Sequence, residues 1–132
     1  QLILIRTVYE DNQARKLQVV AYRVKDGVFT RRESIPTREL TVLDSDWQRA
    51  VGGVDDMPIV VLQNDVTGFQ MRTWNYDENT WRVAGTDVAV PQQADLNNKG
   101  GKAVPRKTGL EVMLQIQGQE YPLLKIFLLG AA

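Results

Sequence analysis

The sequence predicts an α+β protein that is mainly antiparallel β, and three features lead there. Asp26-Gly27 stands between two β-rich runs, a second turn cluster at Asp77-Glu78-Asn79 separates two tryptophan-bearing runs, and the last third closes in a strand-turn-strand. Consecutive hairpins with one short helix between them make an antiparallel sheet, because each short turn returns the chain beside itself. The 132 residues suit one domain, expected to span residues 1–132.

Leu2 to Tyr9 is rich in β-branched and large apolar residues and reads as a first strand. Glu10 to Lys16 is a polar loop, and Leu17 to Val24 is the second strand. Lys25-Asp26-Gly27 turns the chain into Val28 to Glu33, since glycine accepts positive φ without steric cost. Pro36 ends this region. Ser45 to Val51 reads as a short helix, capped by Asp44 or Ser45 and stopped by Gly52-Gly53. Trp47 falls on its expected buried stripe beside Ala50 and Val51.

Ile59 to Gln63 is a short apolar strand. Gly68 to Tyr76 and Thr80 to Ala84 form a hairpin that sets Trp74 and Trp81 on facing arms, where aromatic pairing stabilises the turn. From Gly85 to Lys107 the chain is a long polar loop, a length usually mobile or functional. The strand Gly109 to Gln117 alternates, with Leu110, Val112, Leu114 and Ile116 on one face and Glu111, Gln115 and Gln117 on the other. Gly118-Gln119-Glu120 turns it into Tyr121 to Leu129. That strand is apolar on both faces and is therefore expected inside the sheet or covered from above, leaving only Gly130-Ala131-Ala132 beyond the core.

Sixteen basic and sixteen acidic residues cancel, which argues against nucleic acid or an anionic membrane surface as an electrostatic partner. Arg31-Arg32 is followed closely by acid and reads as a solvated strand face. The absence of histidine removes the commonest general base and metal ligand, whereas the absence of cysteine says little, since cytosolic and periplasmic proteins alike can lack it. Asp95-Leu96-Asn97-Asn98-Lys99-Gly100 starts like a calcium loop, but Lys99 occupies a ligand position and Arg106 stands where the closing glutamate belongs. Gly100-Gly101-Lys102 lacks the spacing of a phosphate loop and is followed by Ala103. The acidic pairs Asp44/Asp46, Asp55/Asp56 and Asp77/Glu78 lie in turns or near a helix start, where carboxylates have ordinary structural reasons to be. These residues predict no catalytic site, no cofactor and no metal, and a binding or assembly module is expected.

The order of motifs adds a family resemblance. Val20-Ala21-Tyr22-Arg23-Val24 with Asp26-Gly27 and Val28-Phe29-Thr30-Arg31-Arg32 comes first, then Val66 to Trp74 with Trp81 nearby. Thr108 to Leu114 and its partner Leu124 to Leu129 come last. The series resembles the periplasmic head of the J-type minor pseudopilins of type II secretion and covers nearly the whole chain. The resemblance implies a non-catalytic assembly subunit at the tip of the pseudopilus, with I- and K-type minor pseudopilins as partners and no small-molecule substrate. It also implies inner-membrane anchoring through an N-terminal helix, which the start at Gln1 would lack. A minor pilin of a type IV pilus shares most of these features. A periplasmic ligand- or glycan-binding β module using the tryptophans is the alternative from another class. Partner contacts are expected at the anchoring helix and at the 85–107 loop, with exposed Ile35 and Leu40 as further candidates.

Overall fold

A computed structural model describes residues 1–53, 56–76, 78–85 and 107–129. The chain forms two compact units, Gln1–Val66 and Thr67–Ala132. The mainly antiparallel β expectation holds: the described residues form two four-stranded sheets and one helix.

The first unit contains β1 (Leu2–Val8), β2 (Lys16–Lys25), β3 (Val28–Glu33) and β4 (Ile59–Gln63), paired antiparallel in that order, with α1 (Leu40–Gly52) between β3 and β4 in sequence. The β2–β3 turn has φ of 51° at Asp26 and 74° at Gly27. Two successive positive φ values make the tight turn whose twist matches that of the flanking strands. The other edge of β3 takes β4 with a register shift between Phe29 and Thr30.

β2 is the buried strand of this unit. Val19 and Ala21 pack with Leu43, Ala50 and Met57, and Ile3, Leu17 and Trp47 close the cluster from its margins. Leu43, Trp47 and Ala50 recur at the spacing that lines one stripe of a helix, so α1 lies with that stripe against the sheet. Trp47 thus packs against the core, as its position on the stripe predicts. Val51, expected beside it, is exposed instead.

The helix is longer than the expected Ser45–Val51. It begins at Leu40, and the N-cap is Glu39, whose side chain makes no capping hydrogen bond. Leu40-Thr41-Val42-Leu43 carries no capping signal and includes two β-branched residues, so local propensity argues against a helix there. Burial of Leu43 holds that turn in place. Before it, the Glu39 N–H donates to the Thr37 hydroxyl at 3.1 Å. The expected stop is correct: Gly53 adopts φ 71° and its N–H returns to the carbonyls of Ala50 and Arg49. The Gln1 amide also donates to the Ala50 carbonyl at 2.9 Å.

The second sheet contains β5 (Val66–Asn75), whose first residue closes the first unit, with β6 (Thr80–Val83), β7 (Lys107–Ile116) and β8 (Leu123–Leu128) of the second unit, in the spatial order β6-β5-β7-β8. Both hairpins anticipated from the sequence form, β5–β6 around residues 76–79 and β7–β8 around residues 117–122. β5 and β7 meet at Gly68–Gln115, Arg72–Glu111 and Trp74–Gly109, so they run in opposite directions. Leu110 and Leu114 are buried, as the alternation of β7 requires.

Two expectations fail here. Glu111, placed on the solvent face by alternation, is only 5% exposed. β8, expected to be internal or covered, is an edge strand with all six residues exposed. Apolar character on both faces predicts burial on both faces, but hydrophobic composition does not state which strand a segment pairs with. The long-loop expectation at 85–107 falls mostly outside the described residues, as does Gly130-Ala131-Ala132; Lys107 itself already belongs to β7.

Burial and capping make separable demands on α1. Leu43→Ala should cost about 2–4 kcal/mol by opening the cluster under the first turn. Ser45→Ala, at an exposed mid-helix position, should change stability by less than about 0.5 kcal/mol. Urea denaturation of the two variants followed by far-UV circular dichroism checks the contrast, and the reverse order would restore Ser45 as the cap.

Candidate interaction surface

The residue types singled out as possible chemistry are dispersed or neutralised where they are described. On α1, Asp44 points to solvent, whereas Asp46 is buried and accepts from Arg49 at 3.3 Å. The same Arg49 also pairs with Asp56, while Asp55 lies outside the described residues. Glu78 pairs with Arg82, and Asp77 is likewise outside. The candidate loops at residues 95–100 and 100–102 are also outside the described residues. Among the described residues, no three His, Cys, Asp or Glu side chains gather as a metal site would require. No described helix is long and apolar enough to cross a membrane.

Arg31 does not present a bare basic patch: its Nε lies 3.0 Å from Glu33, which also meets Arg6 at 3.3 Å. Arg6 donates in addition to Gln18 at 2.6 Å. Gln18 is buried, but the charged side chains are partly solvated, so their ion pairs balance charge on the strand face and contribute little stability.

The tryptophans pair with each other. Trp74 and Trp81 are direct cross-strand partners, with ring centroids 5.4 Å apart and planes at 70°. The guanidinium of Arg72 sits 5.9 Å from the Trp81 ring centroid and donates from Nε to Glu111 at 2.5 Å. The pair with Glu111 holds the arginine pKa above its ordinary value, chiefly through that hydrogen bond. The cation therefore lies against one ring and one buried carboxylate together. Gly109 permits the arrangement. A Cβ there would come within 3.2 Å of both the Trp74 Cβ and the Trp81 ring. Charge alternation gave no sign of the Arg72–Glu111 pair, although Arg72 and Glu111 both lie in segments that carry the family resemblance.

The surface features that remain are apolar and rigidly held. Beyond β3, Ser34 continues the pairing with β2: Val19 N–H donates to the Ser34 hydroxyl at 3.0 Å, and Ser34 N–H returns to the Val19 carbonyl at 2.9 Å. Three residues on, Leu17 and Thr37 exchange backbone hydrogen bonds of 2.7 and 2.8 Å. Ile35 and Pro36 span the interval between those two anchors, and Ile35 is 84% exposed. Leu40, the first residue of α1, is 71% exposed. Of the expected candidates, Ile35 thus lies on a knuckle tied to β2 at Ser34 and Thr37, and Leu40 follows just beyond it. Ile59, Val60, Val61 and Leu62 on edge strand β4 are exposed as well, as is the apolar run of β8. Large exposed apolar groups gathered on fixed backbone mark contact surfaces more often than scattered ones do. In comparisons with known proteins, the chain matches no family model and no curated sequence.

Two substitutions test the second-unit cluster. Gly109→Ala should destabilise by about 1–3 kcal/mol, because the added carbon meets both tryptophans. Arg72→Ala should lower the urea midpoint more than Glu111→Gln does, since the first leaves a carboxylate buried without its partner and the second leaves an amide oxygen that still accepts. Equal losses from both would mean that the pair itself contributes nothing.

Proposed function

We propose that this chain is a non-catalytic assembly subunit, the periplasmic head of a J-type minor pseudopilin of type II secretion, acting through protein–protein surfaces. The observation that carries the reading is the pinned knuckle. Ile35 and Leu40 are strongly exposed, yet the backbone around them is fixed at Ser34 and Thr37. Apolar groups held in advance lose little conformational freedom when a partner covers them, so more of their burial energy is retained as affinity. The ordered series of segments ending in Thr108 to Leu114 and Leu124 to Leu129 supports the family, and the antiparallel sheets with one helix are compatible with such a head.

In this reading the partners are I- and K-type minor pseudopilins, and the anchoring helix of the family supplies the membrane and fibre contacts. The tryptophans serve structure: Trp81 gives its edge-to-face contact to Trp74 and lies beside Arg72, which suits a packed pair better than an open sugar platform. A type IV pilus minor pilin would work by the same surfaces.

The test is co-purification with the I- and K-type heads of the same secretion system, read by size-exclusion chromatography with light scattering. A stoichiometric complex is expected, weakened at least tenfold by Ile35→Asp combined with Leu40→Asp. No complex with either head would overturn the reading. So would a full-length reading frame whose segment before Gln1 is an ordinary cleaved signal peptide and not a prepilin leader with a hydrophobic helix.

A further inference from the structure

We propose that the edge of β8 left unpaired among the described residues is a pairing site for a second copy of this chain, with the two β8 strands antiparallel about a two-fold axis at Ile126. The inference goes beyond the pseudopilin reading and does not rest on it.

Backbone polarity comes first. Leu129 N–H donates to the Thr108 carbonyl at 2.9 Å, and the β7–β8 register runs without a shift from Gly109↔Leu128 to Leu114↔Leu123. Hydrogen-bonding residues alternate along an antiparallel strand. Leu123, Lys125 and Phe127 therefore direct their backbone groups to β7. Leu124, Ile126 and Leu128 direct their N–H and C=O groups outward, to the open edge. The usual protections of such an edge are scarce: β8 is regular, Pro122 precedes the strand instead of interrupting it, and Lys125 is its one charge.

The side chains then select the register. A two-fold relating antiparallel strands in one sheet stands perpendicular to it, so a residue must face a mate of its own side. The axis can therefore pass only where one residue meets its own copy. Centring on Leu124 sets Pro122, which has no N–H, opposite the outward-facing Ile126. Centring on Lys125 puts two ammonium-bearing side chains directly across from each other, which is repulsive. Centring on Phe127 keeps two hydrogen-bonded residue pairs within the strands. Centring on Ile126 keeps three, Leu124 with Leu128 twice and Ile126 with itself, and hence about six interchain hydrogen bonds. In this register Lys125 faces Phe127 of the other copy, where a cation and an aromatic ring attract. The strand's charge and apolar groups are thus complementary to its own edge, and that complementarity identifies a second copy as the occupant.

The test is sedimentation of the 132-residue chain over a wide concentration range, together with crosslinking, using four variants. A concentration-dependent dimer is expected. Ile126→Lys, which sets two cations on the axis, should weaken it at least tenfold. Ile126→Pro should do the same while preserving the fold, because that N–H points away from β7. The chain has no cysteine, so a single introduced one reports register. Ile126→Cys should crosslink with a short bismaleimide, and Leu124→Cys should crosslink at least fivefold less. A chain that stays monomeric at millimolar concentration overturns the proposal. A dimer indifferent to both Ile126 substitutions, or equal crosslinking at 124 and 126, also overturns it.

Discussion

Burial of β2 is the constraint on which the first unit depends. Val19 is fully inaccessible and Val20, its neighbour on the opposite face, nearly so. A strand buried on both faces must have its backbone groups paired on both sides, because an unpaired peptide group away from water costs as much as several apolar contacts return. β1 and β3 satisfy most of them. Where β3 ends, Ser34 and then Thr37 take over, which is why an otherwise irregular connection is held to the sheet at two points. The exposure of Ile35 follows from this: the chain between the anchors has nowhere to go but outward. The start of α1 follows too, since Thr37 both closes the last bridge to β2 and receives the Glu39 N–H. The contact surface proposed here would be a by-product of satisfying a buried strand.

The second unit solves a different problem. Its centre is polar as well as apolar, with Glu111 buried against Arg72 and the guanidinium turned to Trp81. Gly109 leaves room for two indoles to meet on the strand beside it. Such a cluster is sensitive to register, because shifting β7 by one residue against β5 would turn Glu111 to the other face and separate it from Arg72. A one-residue slip would therefore break the ion pair as well as the apolar pattern, which ties the pair to the observed alignment of the sheet.

Edge strands connect the two halves of the functional reading. β4 and β8 are both terminal in their sheets and both apolar along their exposed length. Proteins that remain apart usually guard such edges with charge, proline or bulges, and here β4 has one register irregularity with its neighbour and β8 has one lysine. A subunit that works by being assembled has reason to leave such surfaces open. An enzyme or a small-ligand carrier has less.

Strand positions, the Asp26-Gly27 turn, the tryptophan pair and the Gly53 stop were legible in the residues, because each follows from interactions between near neighbours: alternation, positive φ and facing hairpin arms. Three features were not. The first turn of α1 is built from residues of poor helix propensity and stands on Leu43 reaching the sheet. The buried state of Glu111 depends on Arg72, which is 39 positions away. The openness of β8 depends on its being last in the order β6-β5-β7-β8. Periodicity assigns side chains to faces, but long-range pairing settles which strand lies at an edge. For that reason the closing strand, which reads from its composition as interior, is instead the most accessible apolar strand of its sheet.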